Sequence, residues 1–299
     1  MKYTRDHKPN PKRDQAYRAA LIITLVGNLL LSVGKGIATY LTGSSALYAD
    51  TANSIADLVY SLAFIVVLRT VLQPPDLSHP QGHARFEPLV GLVVALMMGI
   101  AGYEALRSSI SRFIAGGTRV SPGIPTLVLL ASAVIKAGMF FSIKNLAGKA
   151  ESPALRATAK DNLSDVLTSL AAFIGILGST FLHPLLDPVA GGLVSLWIFK
   201  AAFEAGQENF AYLTGAGPGE ELRQKIIGTA NGVEGGHEVH HMISEYVGPK
   251  LAVDMHINLP GDVSLEEVHE ISDRIIAALE ELPEVDRAYV HAEPNGKEE

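Results

Sequence analysis

Six apolar runs, at 17–41, 46–72, 87–112, 123–146, 155–181 and 185–210, leave few folds open to this chain. Each is close to or above the ~20 residues an α-helix needs to cross the hydrocarbon of a bilayer. Backbone polar groups at that depth must be satisfied within the segment, which leaves helices and excludes loops or an open sheet. Pro, Gly or charge separates the runs, at Thr42-Gly43-Ser44, Pro74-Pro75-Asp76, Gly116-Gly117, Ser152-Pro153 and His183-Pro184. A mean hydropathy of +0.24 over 299 residues fits the same reading. The stretch before the first run is polar and basic rather than a cleavable signal, and the run itself is too long for a signal h-region.

An even number of spans puts both termini on one side. With the N-terminus in the cytoplasm, twelve basic residues fall in inside segments, against three outside, Arg107, Arg112 and Arg119. That bias favours both termini in the cytoplasm, and the expected location is the inner (cytoplasmic) membrane. After about residue 214 the character changes: 215–299 carry 18 acidic and 6 basic side chains, net −12, and hold no spanning run. Glu220 to Ala230 reads as a helix, and His240 to Val247 as a strand. Lys250 to Leu259 alternates as a second strand, with Leu251, Val253, Met255 and Ile257 on one face. Ser264-x-x-Glu267 is a capping box opening a helix to about Leu282, and Val285 to Ala292 is a third strand. The expected fold is therefore a six-helix membrane protein with a small αββαβ, α+β cytosolic domain. Its parts are a cytosolic tail over 1–16, the membrane domain over 17–210, the cytosolic domain over 215–293 and a tail over 294–299.

Two of the apolar runs contain paired oxygen donors, Asn53-Ser-Ile-Ala-Asp57 and Asp161-Asn-Leu-Ser-Asp165. On a helix, positions i and i+4 project from one face a turn apart, so each pair can aim at one point. Carboxylates at membrane depth are expensive and normally line an ion or proton pathway. Four convergent oxygen donors, three of them acidic, point to a divalent cation site. Asp50, one turn before Asn53, is a candidate accessory ligand or simply a polar residue near the external boundary. Lys35, Lys136 and Glu104 also lie in apolar runs and receive no role from the sequence.

The chain has no cysteine, so disulfides and thiolate ligands are excluded. Histidines gather instead in two places. The loop between the second and third runs reads Asp76-x-x-His79-x-x-x-His83, three candidate ligands within eight residues. Six of the ten histidines, His237, His240, His241, His256, His269 and His291, fall in the cytosolic domain. His237-Glu238-Val239-His240-His241 matches the H-E-x-x-H zinc protease signature, but that chemistry needs a helix, on which both histidines face one zinc about 6 Å apart. The segment follows a Gly-rich turn and runs into β-favouring Ile243, Tyr246 and Val247. In a strand, positions four apart are roughly 13 Å apart and cannot share an ion.

Six spans, an acidic site split between the second and fifth, the D-x-x-H-x-x-x-H loop and the His-rich αββαβ tail together resemble the cation diffusion facilitator family, over about Tyr17 to Glu293. The resemblance implies a homodimeric secondary transporter, not an enzyme, that exports divalent metal in exchange for protons. Its partners are then metal ions, protons and the lipid bilayer, with no nucleic acid and no prosthetic group. By position, the transport site is Asn53, Asp57, Asp161 and Asp165, and the loop site is Asp76, His79 and His83. The cytosolic site is His240, His256, His269 and His291, with Glu293 where bacterial iron and zinc members have an aspartate. Zinc-transporting members commonly place a histidine where Asp161 stands. An all-oxygen set suits Mn²⁺, with Zn²⁺ or Fe²⁺ as alternatives. A membrane-bound metal sensor without transport is the rival reading, and a zinc protease a remote one.

Overall fold

A computed structural model describes the chain apart from residues 1–2, 5–9, 43–44, 118–122, 236–237 and 296–299. Within helices, the side chains at 42, 45–50, 52, 53, 56, 60, 63, 125 and 172 are also left undescribed. Two compact units result, residues 1–210 and 211–299.

The first unit is six long helices: α1 (Pro11–Thr42), α2 (Ser45–Val71), α3 (Phe86–Ile114), α4 (Ile124–Ala150), α5 (Pro153–Phe181) and α6 (Leu186–Leu213). Among the described residues, all but α2 are long and apolar enough to cross a membrane. At 27 residues, α2 is about 40 Å long, enough to be the sixth span. Local chemistry sets where the helices begin. Asn10 Oδ1 accepts the Arg13 N–H ahead of Pro11, and Ser152 Oγ accepts the Leu155 N–H at 3.0 Å ahead of Pro153. Each is a side-chain N-cap followed by a proline whose missing N–H costs nothing there.

The bundle buries polar side chains among apolar ones and turns apolar side chains outward, unlike a soluble protein. Ile22, Leu30, Leu96, Val134, Leu193 and Phe203 are all exposed, as helix faces turned to lipid must be. Helix α4 packs on α5 and α1, α1 on α2, and α3 on α5. Tyr17, Phe64, Leu68, Ile143 and Leu155 are fully buried in one core cluster. A second cluster joins Val94, Ala95 and Met98 of α3 to Ala201, Ala202 and Ala205 of α6, where the alanines let the two helices pack together.

Gly91 carries that approach furthest, because a Cβ built there would clash with Asn209 Oδ1, on a fully buried side chain. Gly91→Ala is expected to destabilise the bundle by about 1–3 kcal/mol through overpacking. Gly99→Ala, where a Cβ meets nothing within 4 Å, should be neutral or mildly stabilising. Thermal unfolding of the two variants in detergent checks this, and equal melting shifts would remove the α3–α6 contact as the cause.

The second unit is α7 (Glu220–Asn231), β1 (Glu238–Val247), β2 (Lys250–Leu259), α8 (Leu265–Glu280) and β3 (Val285–Pro294). The αββαβ order agrees with the sequence reading. The sheet order is β1-β2-β3, antiparallel between β1 and β2 and parallel between β2 and β3. Leu251, Val253, Met255 and Ile257 are fully buried and pack against Ile226 of α7 and Ile271, Ile275 and Leu279 of α8. Ser264 Oγ accepts the Glu267 N–H at 3.2 Å and starts α8, as the capping box requires. Strand alternation therefore sends Asp254, His256 and Asn258 to the sheet face away from the helices.

Candidate functional site

Helices α2 and α5 carry the acidic residues singled out by spacing. Asp57, Asp161 and Asp165 are all half-buried. The side chains of Asn53 and Asp50 lie outside the described residues, so their place in the site is not fixed by geometry. Asp57 and Asp165, from different helices, meet at one group: Lys136 of α4. Its Nζ donates to Asp57 Oδ2 at 2.9 Å and pairs with Asp165 Oδ2 at 2.7 Å.

A polar brace from α1 fixes the backbone beneath Asp57. The Asp57 carbonyl accepts from Ser61 Oγ at 2.7 Å and from Asn28 Nδ2 at 3.4 Å, while Asn28 also donates to Ser61 at 2.8 Å. Ser32 Oγ lies 2.7 Å from the carbonyl oxygens of Asn28 and Ser54. These groups are buried, where hydrogen bonds are expensive to leave unmade, so α2 is pinned to α1 along the segment that carries the ligands.

The loop between α2 and α3 gathers Asp76, His79 and His83, with one candidate ligand atom of each within 4.8 Å of the others. Gly82, at φ +97°, turns the chain so that His83 folds back under His79, their rings 4.6 Å apart. Asp76 Oδ2 is 3.5 Å from His83 Nε2 and Oδ1 is 3.6 Å from His79 Nδ1. The His79 backbone N–H donates to Asp76 Oδ1 at 2.6 Å and, as the largest influence, holds that carboxyl below its ordinary pKa. His83 is buried, and its Nδ1 has no hydrogen-bond partner among the described residues.

The third cluster lies on the helix-free face of the sheet, where His240, His256 and Glu293 also converge within 4.8 Å. Glu293 is its hub: Oε1 is 2.9 Å from His256 Nδ1, Oε2 is 3.4 Å from His240 Nε2, and His291 Nε2 is 3.6 Å from Oε1. Parallel pairing of β2 with β3 sets His256 beside His291 and Asn258 beside Glu293. A β-bulge between Val239 and His241 adds the extra residue that brings both His240 and His241 toward His256, with ring centroids 5.9 and 5.1 Å away. His269 does not join this group. It is exposed on α8 and pairs with Asp273 one turn on. His237 lies outside the described residues, and Glu238 to His241 stand in β1, not on the helix that a zinc protease needs.

Donors suited to metal ions thus gather in two clusters outside the long helices, and two carboxylates from different helices meet inside the bundle. Residues 21–214 match the model of the cation efflux transmembrane domain, and residues 218–295 match that of the cation efflux protein cytoplasmic domain. The chain belongs to the cation efflux family. It is a membrane transporter for metal cations.

Among family members, an uncharacterised transporter of Methanocaldococcus jannaschii is 34% identical over 273 residues, covering 91% of this chain and 96% of its own. The manganese efflux system protein MneS of Bacillus subtilis is 29% identical, over 91% of this chain and 94% of its own. Metal tolerance protein C1 of Arabidopsis thaliana is 30% identical, over 96% of this chain but 64% of its own.

Sequence reasoning passed over Lys136, the Asn28–Ser61 brace, His241, and buried Glu87 of α3, which accepts a hydrogen bond from the Tyr17 hydroxyl. A charged or amide residue inside an apolar run was the available signal for Lys136, Glu87 and Asn28. Their partners lie 29 to 79 residues away and only packing reveals them.

Proposed function

We propose that this transporter moves Mn²⁺ out of the cytoplasm in exchange for protons, through a site formed by Asn53, Asp57, Asp161 and Asp165. The observation that carries this reading is an all-oxygen donor set at membrane depth: three carboxylates on α2 and α5, with no histidine anywhere in either helix. Manganese accepts such hard coordination, whereas zinc favours tetrahedral sites with nitrogen or sulfur donors. The B. subtilis relative named for manganese efflux supports the same choice. Zn²⁺ and Fe²⁺ are the alternative cargoes.

In this reading both termini are cytoplasmic. The site opens inward with its carboxylates deprotonated, takes a metal ion, and opens outward, where protons displace it. The same carboxylates carry protons back, since neither α2 nor α5 supplies a histidine. The test is flux into proteoliposomes under an imposed pH gradient, comparing Mn²⁺, Zn²⁺ and Fe²⁺. Manganese flux that grows with the gradient is expected. Zinc or iron moving in its place would overturn the choice of cargo, and flux indifferent to the gradient would overturn proton exchange.

The cytosolic unit acts as a regulator and a dimer contact. Its net charge of −12 over 215–299 makes two copies repel, and cations bound at His240, His256 and Glu293 reduce that repulsion. With no native cysteine, a spin label at Leu265→Cys, on an exposed side chain of α8, reports the distance between the two tails cleanly. Saturating Mn²⁺ or Zn²⁺ should shorten it, and His256→Ala with Glu293→Gln should abolish the change. An unchanged distance in the otherwise native chain would leave the cluster without a regulatory role.

A further inference from the structure

Lys136 sits where cargo would sit. Its side chain is 5% exposed, deep in α4, and one ammonium spans Asp57 of α2 and Asp165 of α5. A buried ammonium is costly unless paired, and so are two carboxylates brought together from different helices. Each therefore accounts for the other's presence. Among the described residues, metal-closing convergence within 4.8 Å is found in the loop and on the sheet but not for Asp57, Asp161 and Asp165, of which Asp57 and Asp165 hold the ammonium instead. Lys35 of α1 is a second buried lysine, and its charge also acts on Asp57. It makes neither of the two contacts that define the bridge.

We infer that Lys136 is a tethered cation that occupies the transport site between cargo ions, that an entering divalent ion must displace it, and that it thereby determines specificity against monovalent cations. This rests on the assignment of Asp57, Asp161 and Asp165 to the transport site. An ammonium held on its own helix competes at an effective concentration in the millimolar range or above, whatever the solution contains. Na⁺ or K⁺ offers the carboxylates the same single charge and gains nothing by replacing it. A divalent ion offers twice the charge to the same oxygens and can displace it. When the ion leaves, the ammonium and the incoming protons together cover the carboxylates, so the site is never left with bare charges facing one another.

Initial rates of Mn²⁺ uptake into proteoliposomes test this, for the full-length dimer as wild type, Lys136→Gln, Lys136→Arg and Asp57→Ala. Lys136→Gln should lower KM by at least about tenfold, the low end of what losing an intramolecular competitor implies. Its maximal rate should fall, since no group replaces the departing ion, and high Na⁺ should now inhibit it. Wild type should ignore Na⁺, and Lys136→Arg, which keeps the charge, should ignore it too. A residue that merely holds the helices together would lower the rate without lowering KM or creating Na⁺ inhibition.

An unchanged or raised KM without Na⁺ inhibition in folded Lys136→Gln would overturn the inference. If that variant fails to assemble, Na⁺ inhibition of Lys136→Arg would overturn it as well. Retained transport in Asp57→Ala would sink the site assignment itself. An inactive Asp57→Ala beside a wild-type-like Lys136→Gln would sink only the role of Lys136.

Discussion

Asp57→Ala and Asp165→Ala should each reduce metal flux to the background of protein-free vesicles, with membrane insertion intact. The expectation follows from what each carboxylate does. Each would supply one oxygen to the cargo and one charge to a site of three carboxylates, in surroundings where water cannot substitute. Removing either also leaves the Lys136 ammonium with a single partner at 2.7 or 2.9 Å, a buried charge half compensated. Breaking a buried ion pair costs about 3–5 kcal/mol when one member is lost, so some loss of thermal stability should accompany the loss of flux. The two effects separate by experiment. Asp57→Asn keeps the volume and a hydrogen-bond acceptor, and should recover much of the stability but little of the transport. Normal flux from folded Asp57→Ala would remove α2 from the transport site.

The architecture was legible because its signals are local. A bilayer demands long uninterrupted apolar runs, and the runs ending near Leu41, Phe181 and Phe210 became α1, α5 and α6 within a few residues of their expected limits. Alternation over Lys250 to Leu259 fixed which side chains enter the cytosolic core, because a strand leaves no freedom about which face is which. Loop ligands four residues apart or fewer were also readable, since chain connectivity keeps Asp76, His79 and His83 together whatever the rest does.

What stayed hidden depends on long-range packing. The helical spacing of Asp57 and of Asp161 with Asp165 shows that each face is polar, but not that a lysine from α4 would lie between them. Nor could the sequence place His241 beside His256: the bulge that does so adds one residue to β1, and a one-residue shift changes which histidines share a face. His269 is a different case. Its family position suggested a ligand, yet within one chain it stands on the exposed surface of α8.

Asp161→His should turn the cargo preference toward zinc, with the Zn²⁺ to Mn²⁺ flux ratio rising by about tenfold or more, a difference of ~1.4 kcal/mol between the two ions. Asp161 is the residue to change because it shares the α5 face with Asp165 one turn away, yet makes neither of the two contacts that hold Lys136. Imidazole therefore enters without opening that bridge. It replaces a hard, charged oxygen by a neutral nitrogen, which suits tetrahedral zinc and leaves manganese with one charge fewer. Binding alone is a poor readout, because zinc follows manganese in the affinity order of most nitrogen and oxygen sites and binds more tightly even where it is not carried. Transport requires release as well as capture, so the ratio must be taken from initial rates of flux under a fixed pH gradient. The sign of the change discriminates between two sources of selectivity. A rise in the zinc ratio locates selection in the donor atoms of the intramembrane site. An unchanged ratio, from a variant that still transports, would move selection to the loop cluster at Asp76, His79 and His83, whose imidazoles already favour zinc and which the Asp161 substitution does not touch.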